Sequence, residues 1–144
     1  MTTQEDDRND VSAARSHLET IVEYYALSQD IDDGAETVEA DGETVPEDEF
    51  QEFIQRNVLQ VGVRDSGFWS PGVTPDPDEY MVLLATGGPA VRIWGTIGLH
   101  GEPNSAEIQQ QDWFTPWKTV YDTTDEEDEA LLWYAQQFYW GTYE

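Results

Sequence analysis

The stretch from Tyr80 to Gly98, YMVLLATGGPAVRIWGTIG, is the longest apolar run in the chain, and it breaks once, at Gly87-Gly88-Pro89. Its apolar, β-branched and aromatic residues suit strands. The break is made of turn formers. The run therefore predicts a central antiparallel hairpin with a glycine-rich connection that needs a positive φ. In the first half Tyr80, Val82 and Leu84 share one face and Met81, Leu83 and Ala85 the other, so both faces are apolar, as in a covered central strand. In the second half Val91, Ile93, Gly95 and Ile97 alternate with Arg92, Trp94 and Thr96, giving one buried and one half-buried face.

Such a hairpin needs neighbours and a cover. Val63 is read as the start of a short edge strand, 105–111 as a third strand and 118–121 as a fourth. Val11, Ala14, Leu18, Ile21, Val22 and Tyr25 recur at steps of three and four, which predicts a helix over about 10–28 with Asp10 as its cap. Thr44 and Glu47 have capping-box spacing ahead of Phe50, Phe53, Ile54, Val58 and Val61, which predicts a second helix over about 46–61. Thr124 and Glu127 repeat that spacing before Ala130, Leu131, Tyr134 and Phe138, the stripe of a third. The fold class that follows is α+β: a three- or four-stranded antiparallel sheet with about three helices packed on it. Residues 1–9 read as a disordered tail and 10–144 as one domain, with an acidic loop at 29–45. The connector 63–79 is rich in Gly and Pro, and its Phe68 and Trp69 are expected to fold back onto the core. In the segment DWFTPW, Asp112 is expected to accept backbone N–H bonds while Trp113 and Trp117 seal one end of the sheet; Arg92 is expected to pair with a carboxylate.

Charge is the loudest functional signal. The 144 residues hold 31 Asp and Glu against 6 Lys and Arg, a formal net charge of −25. Seven Tyr, six Trp and five Phe argue against an acidic disordered chain and for a folded aromatic core under an acidic skin. A surface of this sign repels free nucleic acid and anionic membrane and attracts cations or a basic protein. Without Cys there are no disulfides and no thiolate metal sites. The polar start MTTQEDDRND is not a signal peptide and no apolar run reaches 18 residues, so the expected setting is cytoplasmic and away from the membrane.

Catalytic patterns are weak. His17 and His100 belong to no H-E-x-x-H arrangement, and Ser66 or Ser105 has no nucleophile elbow. Carboxylates are so numerous that finding a pair carries no information about acid–base chemistry. Asp30-Ile31-Asp32-Asp33-Gly34 lacks the twelve-residue ligand spacing of an EF-hand, and Gly87-Gly88-Pro89 lacks the lysine of a phosphate loop. No cofactor, no metal and no enzymatic activity are expected. The candidate interaction residues are the acids Asp30, Asp32, Asp33, Glu36, Glu39, Asp41, Glu43, Glu47, Asp48, Asp125, Glu126, Asp128 and Glu129, with Trp69, Gly87, Gly88, Trp113 and Trp117 as a second, aromatic and turn set.

EYMVLLATGGPAVRIWG followed by DWFTPW, within residues 80–121, resembles a group of small phage- and plasmid-borne proteins of unknown function. In size and charge the chain also resembles, by type, acidic DNA-mimic anti-restriction and anti-CRISPR proteins. Its scarce Lys, absent Cys and acid-rich tail look like proteins of halophilic archaea or their viruses. The segment resemblance names no activity. The acidic blocks, with the likeness of type, lead to the expectation of a non-enzymatic protein-binding inhibitor, a DNA mimic encoded by a mobile element and acting on a nucleic-acid-binding defence complex. Its expected partner is a basic nucleic-acid-binding protein, and it is not expected to bind nucleic acid itself. Two alternatives stand beside it: an α+β protein whose acidity is salt adaptation, and a carboxylate-dependent hydrolase.

Overall fold

Tyr80 is fully buried, and its hydroxyl donates to the Ser105 carbonyl at 2.6 Å. The tyrosine reaches that carbonyl by crossing Gly95, its partner on the next strand. A Cβ at Gly95 would lie 2.1 Å from the Ser105 oxygen and 2.8 Å from the Tyr80 ring, so only glycine fits. This crossing sits in the middle of the sheet that organises the chain. The computed structural model describes residues 11–64, 79–87, 89–98, 101–113 and 115–138. The expected tail, the Asp10 cap, Phe68, Trp69, Gly88 and His100 lie outside them.

The sheet has five antiparallel strands in sequence order: β3 (Gln60–Arg64), β4 (Glu79–Ala85), β5 (Ala90–Thr96), β6 (Glu107–Gln111) and β7 (Lys118–Thr119). That is one strand beyond the three or four expected, because the edge strand at Val63 joins the other four. Val61, Val82, Ile93 and Ile108 stand side by side across it on the covered face. The opposite face carries Leu83, Arg92, Gln109 and Thr119 in one row and Met81, Trp94 and Glu107 in the next. A register shift between Leu83 and Ala85 takes Leu84 out of the strict alternation.

Three helices cover the first face. Helix α1 (Ser12–Asp32) buries Ala14, Leu18, Ile21 and Tyr24, and α3 (Asp125–Ala135) buries Ala130, Leu131, Tyr134 and Ala135. The two run parallel: Arg15 at the start of α1 reaches Glu127 at the start of α3, and Tyr24 stacks on Tyr134 near the other end. Thr124 and Glu127 form the expected capping box. The start of α1 is held differently. Val11 offers no side-chain cap; instead the buried Gln110 of β6 accepts the Ala14 N–H at 3.0 Å and donates to Asp112 at 3.2 Å. A sheet side chain thus satisfies a helix end across 96 residues of sequence.

Residues 29–45 are not the expected acidic loop. Helix α1 continues to Asp32, with Ile31 packed against the core, and a second sheet follows. Strands β1 (Thr37–Ala40) and β2 (Glu43–Pro46) form a hairpin around Asp41-Gly42, both with positive φ, at 52° and 83°. Those dihedrals mark the two-residue turn whose twist matches the strands it joins. Val38, Ala40 and Val45 are buried, and the Tyr24 hydroxyl donates to Asp41 at 2.6 Å, fixing the turn to α1.

The helix expected over 46–61 is also corrected. Thr44 lies in β2 and donates to Glu39 across the hairpin, so it caps nothing. A single 3₁₀ turn (Glu47–Glu49) leads into a short α2 (Phe50–Gln55), and Val61 belongs to β3. Phe50, Phe53 and Tyr24 meet at ring distances of 5.9 to 6.3 Å and close the end of the core.

Gly95→Ala is expected to destabilise the fold by more than about 3 kcal/mol, because the Ser105 backbone must move. Tyr80→Phe should cost about 1–2 kcal/mol, from the orphaned carbonyl alone. Urea unfolding of both variants checks the order; equal small losses would show that the crossing is loosely packed.

Candidate interaction surface

Every acidic residue singled out from the sequence is exposed: Asp30, Asp32, Asp33, Glu36, Glu39, Asp41, Glu43, Glu47, Asp48, Asp125, Glu126, Asp128 and Glu129. They do not form one patch. The first nine gather where the end of α1, the hairpin and the 3₁₀ turn meet. The last four load the first turns of α3, beside the start of α1. Arg15 and Asp32 mark the two ends, about 25 Å apart at 1.5 Å per residue. Glu19 and Glu23 on the outward stripe of α1 lie between them, both exposed. They link the two blocks into a row, with Asp30 continuing it at a further two turns. Their spacing on one helix face was legible in the sequence, but their isolation from the acidic blocks hid them.

The cations explain where the negative charge remains. On the helical side Arg15 pairs with Asp122 and, at 3.4 Å, with Glu127; Arg56 pairs with Glu43 at 3.5 Å and lies over the Phe53 ring. Lys118 closes the β6–β7 turn onto Asp112 at 2.7 Å. Arg64 and Arg92 are on the far face of the sheet. Arg64 binds Glu79 at 2.6 Å, and Glu79 also accepts the Trp94 indole N–H at 3.0 Å. Arg92 donates to Gln109 at 2.7 Å and lies 4.2 Å over the Trp117 ring. Burial first, and the neighbouring Arg64 second, push its pKa down to about 10, so it stays charged at neutral pH. Glu79 on the neighbouring strand is the carboxylate whose charge acts on Arg92 in the opposite, pKa-raising direction. The strand carboxylates of the far face, Glu79 and Glu107, are both half-buried and hydrogen-bonded. By contrast Glu19, Glu23, Asp30, Asp32, Glu47 and Asp48 have no cation at pairing distance among the described residues.

The aromatic set divides. Trp117 is half-buried under Arg92, whereas Trp113 is 68% exposed, too open to seal the end of the sheet. The backbone carbonyl of Asp112 accepts the Thr115 N–H, as a turn there requires, while its carboxylate serves Gln110 and Lys118. Gly87 has the expected positive φ of 97° and stands exposed at the same end of the sheet as Trp113, since Ala90 pairs with Gln111. Trp69 and Gly88 are outside the described residues.

Two of the clefts among the described residues lie beside the acidic surface. One, about 340 Å³, is lined by His17, Thr20, Tyr24, Asp41, Asn57 and Tyr134 among others. Burial raises the pKa of Tyr24, and its hydrogen bond to Asp41 raises it further, so the hydroxyl stays a donor that holds the hairpin. Burial lowers that of His17. The other, about 450 Å³, lies between the end of α1, the 3₁₀ turn and α3, with Tyr25, Phe50 and Trp133 in its walls and Asp32 and Glu47 on its rim.

Among the described residues no group of three or more His, Cys, Asp or Glu is arranged to hold a metal ion, and no helix is long and apolar enough to cross a membrane. No protein-family model matches the chain, and no curated protein or solved structure is detectably similar to it.

If the row on α1 is uncompensated, salt and neutralisation should both stabilise. Raising salt from about 0.1 M to about 1 M is expected to raise Tm. Glu23→Gln should raise it by roughly 1–3 °C at low salt and by less at high salt. Calorimetry showing Glu23→Gln to be destabilising at low salt would contradict the assignment. His17 gives a pH signature of the opposite sense. Its folded pKa lies below the unfolded value, so its neutral form stabilises above about pH 6.5 and that contribution fades as pH falls through the folded value. Wild type should therefore lose Tm relative to His17→Gln between about pH 8 and about pH 5; parallel Tm curves would show that His17 is not buried as described.

Proposed function

We propose that this protein is a non-enzymatic binding protein whose helix-and-hairpin side engages the cationic, nucleic-acid-binding surface of a partner protein. The observation that carries the reading is the division of charge across the sheet. Among the described residues, the far face balances its carboxylates with Arg64 and hydrogen bonds, whereas the covered side presents Glu19 and Glu23 between two acidic blocks, in a row that Asp30 continues, with no cation at pairing distance. A helix holds Glu19 and Glu23 about 6 Å apart along its axis. A rigid row of anions is what a phosphate-gripping protein is built to meet, and association with it gains from steering and counterion release. The hairpin contributes because it is ordered: Tyr24 and the buried Val38 and Val45 fix the carboxylates of Glu39, Asp41 and Glu43 in place. Preorganised charge costs less on binding than charge on a loop. The Tyr24–Asp41 pair in the smaller cleft fits this structural role, since it pins the hairpin to the helix.

A carboxylate row without partners also suits a salt-rich interior, and the two readings differ in what they require of folding. Salt adaptation alone predicts a chain that unfolds at low ionic strength; a binding role predicts a folded chain that meets its partner there.

The test is capture from host lysate on the immobilised protein, followed by competition. The expected result is a basic nucleic-acid-binding protein retained at low salt, released by duplex DNA, with log affinity falling linearly with log salt. Retention insensitive to both DNA and salt, or no retention by a chain that is folded at low salt, would overturn the reading.

A further inference from the structure

The wider cleft on the helical side combines two chemistries that belong together only around a cation. Its walls include Tyr25 and Trp133, whose ring centroids are 5.4 Å apart and tilted by 45°, with Phe50 buried behind them. On the rim stand Asp32 from the last turn of α1 and Glu47 from the 3₁₀ turn, both exposed. Among the described residues, neither carboxylate has a cation at pairing distance and no Lys or Arg lines the cleft. The remaining polar lining, Ser28, Gln29, Gln51 and Gln137, is uncharged. Two of these groups are already engaged: Ser28 donates to the Tyr25 carbonyl at 2.6 Å, and Gln51 to the Gln137 carbonyl at 3.1 Å. The cleft is thus a half-buried aromatic wall beneath two uncompensated carboxylates.

We infer that this cleft receives an arginine side chain from a basic segment of a partner protein. A guanidinium is planar and weakly hydrated, so it stacks on an indole or phenol face while its N–H fork reaches carboxylates at the edge. Lysine offers a point charge on a stem and gains less from the ring faces. At about 450 Å³ the cleft has the size of a side-chain or small-ligand site and is too small for a whole helix. Its position supports the same occupant. Its lining residues Asp32 and Glu47 are chain neighbours of Asp30, Asp33 and Asp48, and the Glu47 N–H donates to the Glu36 carbonyl, so a segment carrying further basic residues would lie against the acidic block with one arginine anchored. The block supplies steering, and the cleft supplies the buried aromatic contact that distinguishes an anchor from a rim charge. The inference rests on the binding role proposed above and names the point at which that role becomes specific.

The experiment is isothermal titration of the full chain with an octa-arginine peptide and with octa-lysine at about 0.1 M salt. Three variants accompany wild type: Trp133→Leu, the pair Asp32→Asn with Glu47→Gln, and a control pair Glu102→Gln with Asp122→Asn. The control removes the same charge from exposed positions that do not line the cleft and are not among the candidate interaction residues. Wild type is expected to prefer arginine over lysine by about 3-fold or more. The Asp32/Glu47 pair should weaken arginine binding about 5- to 10-fold, the control less than about 2-fold. Trp133→Leu should remove the arginine preference; circular dichroism establishes that it folds, and the Asp32/Glu47 pair, being exposed, decides the matter if it does not. Equal weakening by the two charge pairs, with salt-dependent binding retained, would overturn the cleft and leave the broader binding role standing. Absence of peptide binding to wild type would overturn both. Spermine competing through Asp32 and Glu47 as effectively as octa-arginine would replace the protein occupant with a small polyamine.

Discussion

With a net charge of −25 and only six cations, the chain must fold against its own repulsion, and the placement of those cations shapes much of what is seen. The five among the described residues act mainly as internal ties. Arg15 joins the first turns of α1 and α3 through Glu127, and Arg64 and Lys118 neutralise carboxylates beside their own strands. Arg92 lies over Trp117 on the far face of the sheet. What this spends at the joints is missing from the outer face of α1, where Glu19, Glu23 and Asp30 have no cation at pairing distance among the described residues. The core must then hold the carboxylates together by burial. It does so with aromatic residues: Tyr24, Phe50, Phe53, Tyr134 and Phe138 form one connected set of ring contacts beneath the acidic side.

Two polar side chains make this arrangement specific. Tyr80 and Gly95 fix β4, β5 and the approach to β6 through the Ser105 carbonyl. Gln110 fixes the start of α1 against β6 from inside the core. Both are hydrogen bonds made by buried side chains, and losing either would leave a polar group unsatisfied, so they select one register and one helix position from arrangements of similar apolar burial. The angle at which the carboxylate row of α1 is shown to solvent follows from them.

The sheet and both long helices were legible in the sequence because their apolar periods are long and bounded by clear signals: the alternation around Tyr80 and Ile93, the stripe through Leu18 and Ile21, the Thr124–Glu127 capping box. The region 29–61 was not, for three physical reasons. Asp41-Gly42 between TVEA and ETVP is a hairpin signal, but the surrounding acids give it the composition of a loop. Thr44 and Glu47 have the spacing of a cap, yet Thr44 is claimed by its cross-strand neighbour Glu39. Val58 and Val61 continue a helical period by coincidence, since the chain has already turned toward β3. In the candidate surface the acids were correctly placed on the outside, but their division into two blocks follows from the parallel run of α1 and α3, a tertiary fact. The aromatic cleft beside Asp32 needs Tyr25, Phe50 and Trp133 from three distant segments.

The charge division turns a composition into a direction: among the described residues, one side of the sheet is self-balanced and the other is not. Backbone amide mapping by NMR, with the full chain titrated by its basic partner or by octa-arginine, tests that direction most directly. The account predicts that the largest shifts fall on the outward stripe of α1, on the β1–β2 hairpin and around Trp133. Shifts concentrated on Arg64, Trp94 and Arg92, or spread evenly over both faces, would contradict it.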